Sequence, residues 1–157
     1  MDHKSIHHAL YTPFDVAEVI LRRLGPLTAM KLQKLVYYCQ AWSLVWDERP
    51  LFPDRIEAWK NGPVVRSLYN AHSGRFLVEP GLFRDSPAAL DQDALDTIDA
   101  VINYYGNKTA QWLSDLTHAE DPWIEARQGL EDGDSGGREI GWGSMHQYYS
   151  GLIDREP

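Results

Sequence analysis

The sequence has a single cysteine, Cys39, among 157 residues. One thiol cannot close an internal disulfide, so the fold is expected to rest on its core and to suit a reducing cytoplasm. Cys-x-x-Cys and His-Glu-x-x-His are both missing, and with them the common zinc-ligand spacings. Basic residues are in deficit: 15 Lys and Arg stand against 23 Asp and Glu, a formal net charge of −8. Such a chain repels phosphate backbones, which argues against direct nucleic-acid binding and favours a basic partner. No apolar run is long enough for a bilayer core of about 30 Å. The longest, Leu35 to Trp46, is interrupted by Gln40 and Ser43. The first residues, Met-Asp-His-Lys-Ser-Ile-His-His, have no apolar segment behind them and show no secretion signal. A soluble cytoplasmic protein without membrane contact is expected.

Signatures of catalysis are equally scarce. Gly141-Trp142-Gly143-Ser144-Met145 is not a Gly-x-Ser-x-Gly elbow, and no strand signal precedes it. Cys39 falls on the apolar face of a helix, where a thiol is inert core. The acidic segment Asp132-Gly133-Asp134-Ser135-Gly136-Gly137 fails as a calcium loop, because its fifth and twelfth places are Gly136 and Gly143. His3, His7 and His8 read as a polar terminus. His118, Glu120 and Asp121 meet at a helix junction, where capping accounts for Asp121 without chemistry. No catalytic residue, metal site or cofactor is assigned, and an enzyme is not expected.

What the sequence does hold is aromatic: six Trp, eight Tyr and four Phe. That many rings fill a core, and any surplus at the surface is a candidate binding patch. Thr12-Pro13 with Asp15 starts a helix whose stripe is Phe14, Val16, Val19, Ile20 and Leu24, and Gly25-Pro26 stops it. From Thr28 a second helix carries Leu32, Leu35, Val36, Cys39, Trp42 and Trp46 at steps of three and four. Tyr37, Tyr38, Ala41, Leu44 and Val45 widen that face, which marks the centre of the core.

Beyond it, Arg55 to Lys60 predicts a short strand, and Asn61-Gly62-Pro63 a turn that launches a helix with Pro63 at its first position. Val64, Val65, Leu68 and Tyr69 are that helix's apolar side and Gly74 its end. Arg75 to Glu79 is a second short strand, paired with the first as a ribbon. Ser86-Pro87 starts a helix through Leu90, Ala94, Ile98, Val101 and Tyr105 to Gly106. Its Asp91, Asp93, Asp96 and Asp99 read as a solvated face or as docking for a basic partner. Further helices are expected from about Lys108 to His118, after an Asp121-Pro122 cap, and after a Ser144 cap, with a loop of six glycines from Gly129 to Gly143. The fold class is mainly α: a compact single-domain bundle of six to seven helices with a two-stranded ribbon. Residues 1–11 form a tail and 12–157 the domain.

Two segments stand out: Met30-Lys31-Leu32-Gln33-Lys34-Leu35-Val36-Tyr37-Tyr38, and Phe52 through Glu57-Ala58-Trp59-Lys60-Asn61-Gly62-Pro63-Val64. In this order and spacing they resemble the signature of the Panacea domain, found in SocA-like antitoxins and in phage-associated GepA-type proteins. A weaker third match runs from Ile140 to Tyr149. The resemblance covers about residues 10 to 153 and leaves no room for an added DNA-binding domain, so transcriptional autoregulation is not expected. It implies a mainly helical antitoxin that neutralises a co-encoded toxin by direct contact, and no cofactor. An adaptor that delivers the toxin to an AAA+ protease is the alternative, and an enzyme that reverses the toxin's modification a third. It marks Lys31, Gln33, Lys34, Tyr37, Trp59, Lys60, Gly62, Pro63 and Val64 as motif positions with a fold-determining or partner-binding part. Lys31 and Lys34, three apart, share one side of the second helix.

Overall fold

The computed structural model describes residues 11–83, 89–131 and 137–155. The His3, His7 and His8 cluster, Ser86-Pro87 and most of the acidic glycine loop lie outside them. Helix α1 spans Pro13–Leu24 and opens on a complete capping box: the Thr12 hydroxyl accepts from the Asp15 amide, and the Asp15 carboxylate accepts from the Thr12 amide. After Gly25 the chain stays extended through a two-residue strand, β1 (Leu27–Thr28). Thr28 then caps α2, Ala29–Trp46.

Helix α2 is the axis of the molecule. Leu32, Leu35, Val36, Tyr38, Cys39, Ala41 and Leu44 are all fully buried. It packs against α1, against the hairpin that follows, and against three later helices: α4 (Gln92–Tyr105), α5 (Ala110–His118) and α7 (Trp142–Arg155). A helix buried on most sides along its middle needs little polar face there, which accounts for its largely apolar sequence from Leu32 to Leu44. The buried Cys39 thiol is pushed above its usual range by desolvation, as an inert core position requires.

Between α2 and α4 the structure departs from the expected order. Strand β2 (Ile56–Trp59) is present, but Gly62–Val65 is a strand, β3, and not the start of a helix. The two form a hairpin in which Trp59 faces Gly62 across Lys60-Asn61 and Ile56 faces Val65. Val64 and Val65 are β-branched and suit a pleat better than a first helical turn. Pro63 is tolerated because β3 is the edge strand of its sheet, paired with β2. The helix, α3, begins only at Arg66 and ends at His72.

The second predicted strand exists as β4 (Leu77–Val78), but it pairs with β1 and not with β2. That register sets buried Leu27 opposite buried Val78. The third strand of the larger sheet, β5 (Glu139–Ile140), rises from the glycine-rich segment expected to be loop throughout; Ile56 faces Ile140. Helix α7 starts at Trp142, two residues before the expected Ser144 cap. Helix α4 starts at Gln92 under an Asp91 cap, later than a Ser86-Pro87 start implies. Helix α6 (Asp121–Ala126) is capped by Glu120 and not by Asp121, with no side-chain cap bond, because the Glu120 carboxylate turns inward. No helix among the described residues is long and apolar enough to cross a membrane.

Candidate functional site

Most of the motif residues converge on the hairpin edge. Strand β3 leaves backbone groups open on its outer side, and Gln33 closes them. Its Oε1 accepts from the Val65 amide at 2.8 Å, and its Nε2 donates to the Val65 carbonyl at 3.2 Å. A buried amide side chain thereby stands in for the next strand. The second Nε2 hydrogen points to His72 Nε2, 3.0 Å away, which must accept and therefore carries no proton. Desolvation, the main cause, holds the His72 pKa below its usual value and favours the same neutral ring.

Lys34 lies one residue further along α2, only 2% exposed, and its Nζ donates to the Pro63 carbonyl at 3.3 Å. Gly62 makes room for it: a side chain there would collide with Lys34 Cε, and its φ of 123° already favours glycine. A solvated helix edge therefore describes Lys31 at most, and not Lys34. Lys31 turns away to the Gly106 carbonyl, 2.6 Å from its Nζ, so two lysines on one helix side serve opposite ends of the core.

Around this edge lies a cleft of about 330 Å³. Its floor is the first turns of α2, with Met30, Gln33 and Lys34. One wall is the hairpin, with Trp59, Lys60, Asn61 and Val64; the other is α3 and the turn after it, with Tyr69, His72 and Arg75. The Trp59 ring stands edge-on to Tyr69 at 4.8 Å and is fixed by its Nε1, which donates to Glu57 Oε1 at 2.8 Å. Of the nine motif positions, Gln33, Lys34, Trp59, Lys60 and Val64 line the cleft. Gly62 and Pro63 support it from behind, and Lys31 and Tyr37 belong elsewhere. Nothing in the motif spacing points to Tyr69, His72 or Arg75, which reach the cleft only because α3 folds back on the hairpin.

Tyr37 sits in a second buried cluster. Tyr38 donates to Glu120 Oε1 at 2.7 Å and Tyr149 to the same oxygen at 2.8 Å. Since Tyr149 spends its proton there, its oxygen accepts from Tyr37 at 3.0 Å. The Glu120 carboxylate is 4% exposed and pairs with no cation among the described residues. Desolvation raises its pKa to about 7, although both phenols pull the other way.

A third feature is superficial. Trp46, Tyr104 and Ile153 are 46%, 66% and 49% exposed and line a groove of about 310 Å³ between the ends of α2, α4 and α7. Trp42 stacks on Trp46 at 4.9 Å and forms its inner wall. Asp93, Asp96 and Asp99 run along α4 toward this groove, with Asp96 one turn before Ala100 and two before Tyr104. Asp99 also pairs with Arg23 at 2.7 Å. Among the described residues no group of His, Cys, Asp or Glu has the arrangement of a metal site.

The family described as antitoxin SocA-like, Panacea domain, matches residues 32–124, from α2 to α6. Antitoxin SocA of Caulobacter vibrioides (strain NA1000 / CB15N) is 31% identical over 110 residues, which cover 62% of this chain and 58% of that protein. The match therefore spans less than two thirds of that relative. No solved structure matches the chain. With the second motif and all but the first two residues of the first inside the matched span, and the two meeting in one hairpin-edge cleft, the chain belongs to the SocA-like antitoxin family that carries the Panacea domain.

Proposed function

We propose that this protein is an antitoxin that neutralises a co-encoded toxin by direct protein–protein contact in the cytoplasm, without turnover. The relation to a curated antitoxin supports the biological role. The observation that carries direct binding is the exposed Trp46–Tyr104–Ile153 groove. Three large apolar side chains held in one surface depression are what an interface hot spot needs. Asp93 and Asp96, which precede the groove along α4, and the net charge of −8 favour a basic amphipathic segment of the toxin as its occupant. On this reading the motif residues maintain the hairpin edge, and the toxin is met on the opposite end of α2.

The test is growth rescue with co-purification. The neighbouring gene of the native operon is expressed with and without this protein, and complexes are recovered on a tag. Rescue with a complex of fixed stoichiometry is expected. Trp46→Ala combined with Tyr104→Ala should weaken the complex by about thirtyfold or more, at least the scale of one hot-spot truncation, at an unchanged melting temperature. A toxin that stays active in excess purified protein overturns the reading. Rescue with falling toxin levels that is lost in a protease-null host replaces it with the adaptor.

A further inference from the structure

The motif cleft has a charge pattern opposite to that of the molecule. The chain is acidic overall, yet no acidic residue lines the cleft, whereas Lys34, Lys60 and Arg75 do. Lys60 and Arg75 are exposed at the rim. Lys34 is a floor residue, buried to 98% of its surface, and among the described residues its ammonium has one hydrogen-bond partner, the neutral Pro63 carbonyl, and no carboxylate within salt-bridge distance. An ammonium carries three N–H donors, and a buried charge is costly unless it is paired. Desolvation lowers its pKa to about 8, so it remains mostly charged at neutral pH. The buried polar groups beside it, Gln33 on the floor and His72 in the wall, are already occupied: Gln33 is spent on Val65 and His72, and His72 on Gln33.

We infer that this cleft is a binding site for a carboxylate-headed ligand with an apolar or aromatic body. Lys34 is its buried counter-cation, Trp59, Tyr69 and Val64 are the walls for its body, and Met30 is part of the floor beneath it. A volume of about 330 Å³ suits one residue-sized group. A single desolvated ammonium matches a monoanion. A phosphate dianion wants a nest of backbone N–H donors, and the carbonyl of Pro63 is the backbone group shown here. Rim cations at Lys60 and Arg75 draw the anion in. The carboxylate belongs either to a free small acid or to the C-terminus of a peptide. The site stands apart from the aromatic groove and does not depend on a toxin being bound there.

Calorimetric titration of the full chain distinguishes these sources. The probes are 3-phenylpropionate, the peptide acetyl-Ala-Ala-Phe as free acid, the same peptide as amide, and inorganic phosphate. A free acid is expected to bind at least about tenfold more tightly than the amide, the discrimination of a charge-assisted contact. Equal binding of both acids identifies a small free acid as sufficient; preference for the peptide acid identifies a chain terminus. Lys34→Met with a native circular-dichroism spectrum should abolish the acid–amide difference. In the unsubstituted protein the acid should move the Lys34 Cε NMR titration to higher pH, a readout that needs no variant. Acid and amide binding alike, no binding of either acid at millimolar concentration, phosphate binding as tightly as the acids, or an unmoved Lys34 titration each overturns the assignment.

Discussion

Glu120 is the residue whose setting has the plainest consequence in solution. Its folded pKa of about 7 lies above the ordinary 4.5 because burial disfavours the anion. The neutral acid is therefore favoured by folding. The stability it contributes is complete below about pH 4.5 and is lost as the pH rises through about 7. The span amounts to on the order of 3 kcal/mol. Glu120→Gln keeps an acceptor for Tyr38 and Tyr149 but cannot ionise. The stability of this variant relative to the natural chain should rise between pH 4.5 and 8 by a comparable amount, read from urea midpoints across that range. A difference that stays flat with pH would show that the carboxylate is not the titrating group. His72 acts in the opposite direction in both proteins: its depressed pKa lowers stability as the pH falls through about 6.5, so it cancels in the comparison.

At the scale of elements, local sequence was a good guide at the capped starts of α1 and α2. Thr12, Pro13 and Asp15 predict the start of α1, and the structure shows both hydrogen bonds of the capping box. Thr12→Ala removes one of them and should destabilise the protein by about 1 kcal/mol, as an N-cap loss does, seen as a lower urea midpoint at unchanged slope. An unchanged midpoint would mean that the box does not contribute. The hairpin is the contrasting case. Pro63 after Gly62 fits a first helical turn as well as an edge strand, and local pattern does not choose between them. The choice is made by Gln33, thirty-two residues away, whose amide completes the edge at Val65. Lys34 follows from the same cause: the hairpin laid over α2 buries a side chain that helical spacing alone places at a polar margin.

At the scale of the whole molecule, the family match and the folding unit differ. The match covers residues 32–124, which leaves out α1, β1, β5 and α7. Yet Val16, Ile20 and Leu21 of α1 and Met145 and Tyr149 of α7 are fully buried against the core, and β5 closes the larger sheet on β2. A fragment of residues 29–126 should therefore fail to fold cooperatively. Exposing the α1 and α7 faces of α2 uncovers several large apolar side chains, each worth roughly 1.5–3 kcal/mol, against a total stability of about 5–15 kcal/mol. Thermal melting by circular dichroism checks this; a sharp transition near that of the full chain would show that the matched span is a domain by itself.

By itself, the sequence determined the helical class, the two ends of α1, the Thr28 start of α2, the Gly106 stop of α4, the central place of α2, and the buried Cys39. All of these follow from interactions within one or two turns, where periodicity and capping leave a local mark. Only the tertiary structure decided which motif residues meet in the cleft, that Lys34 is buried while Trp46 is exposed, and that Tyr38 and Tyr149 share Glu120. Helical period tells which residues lie on one face, but not what covers that face. Lys34 lies under β3, whereas nothing among the described residues closes over Trp46. Pairings such as Tyr38 with Glu120, 82 residues apart, or Ile56 with Ile140, depend on how distant elements dock, and docking is fixed by the summed burial of the core rather than by any local pattern.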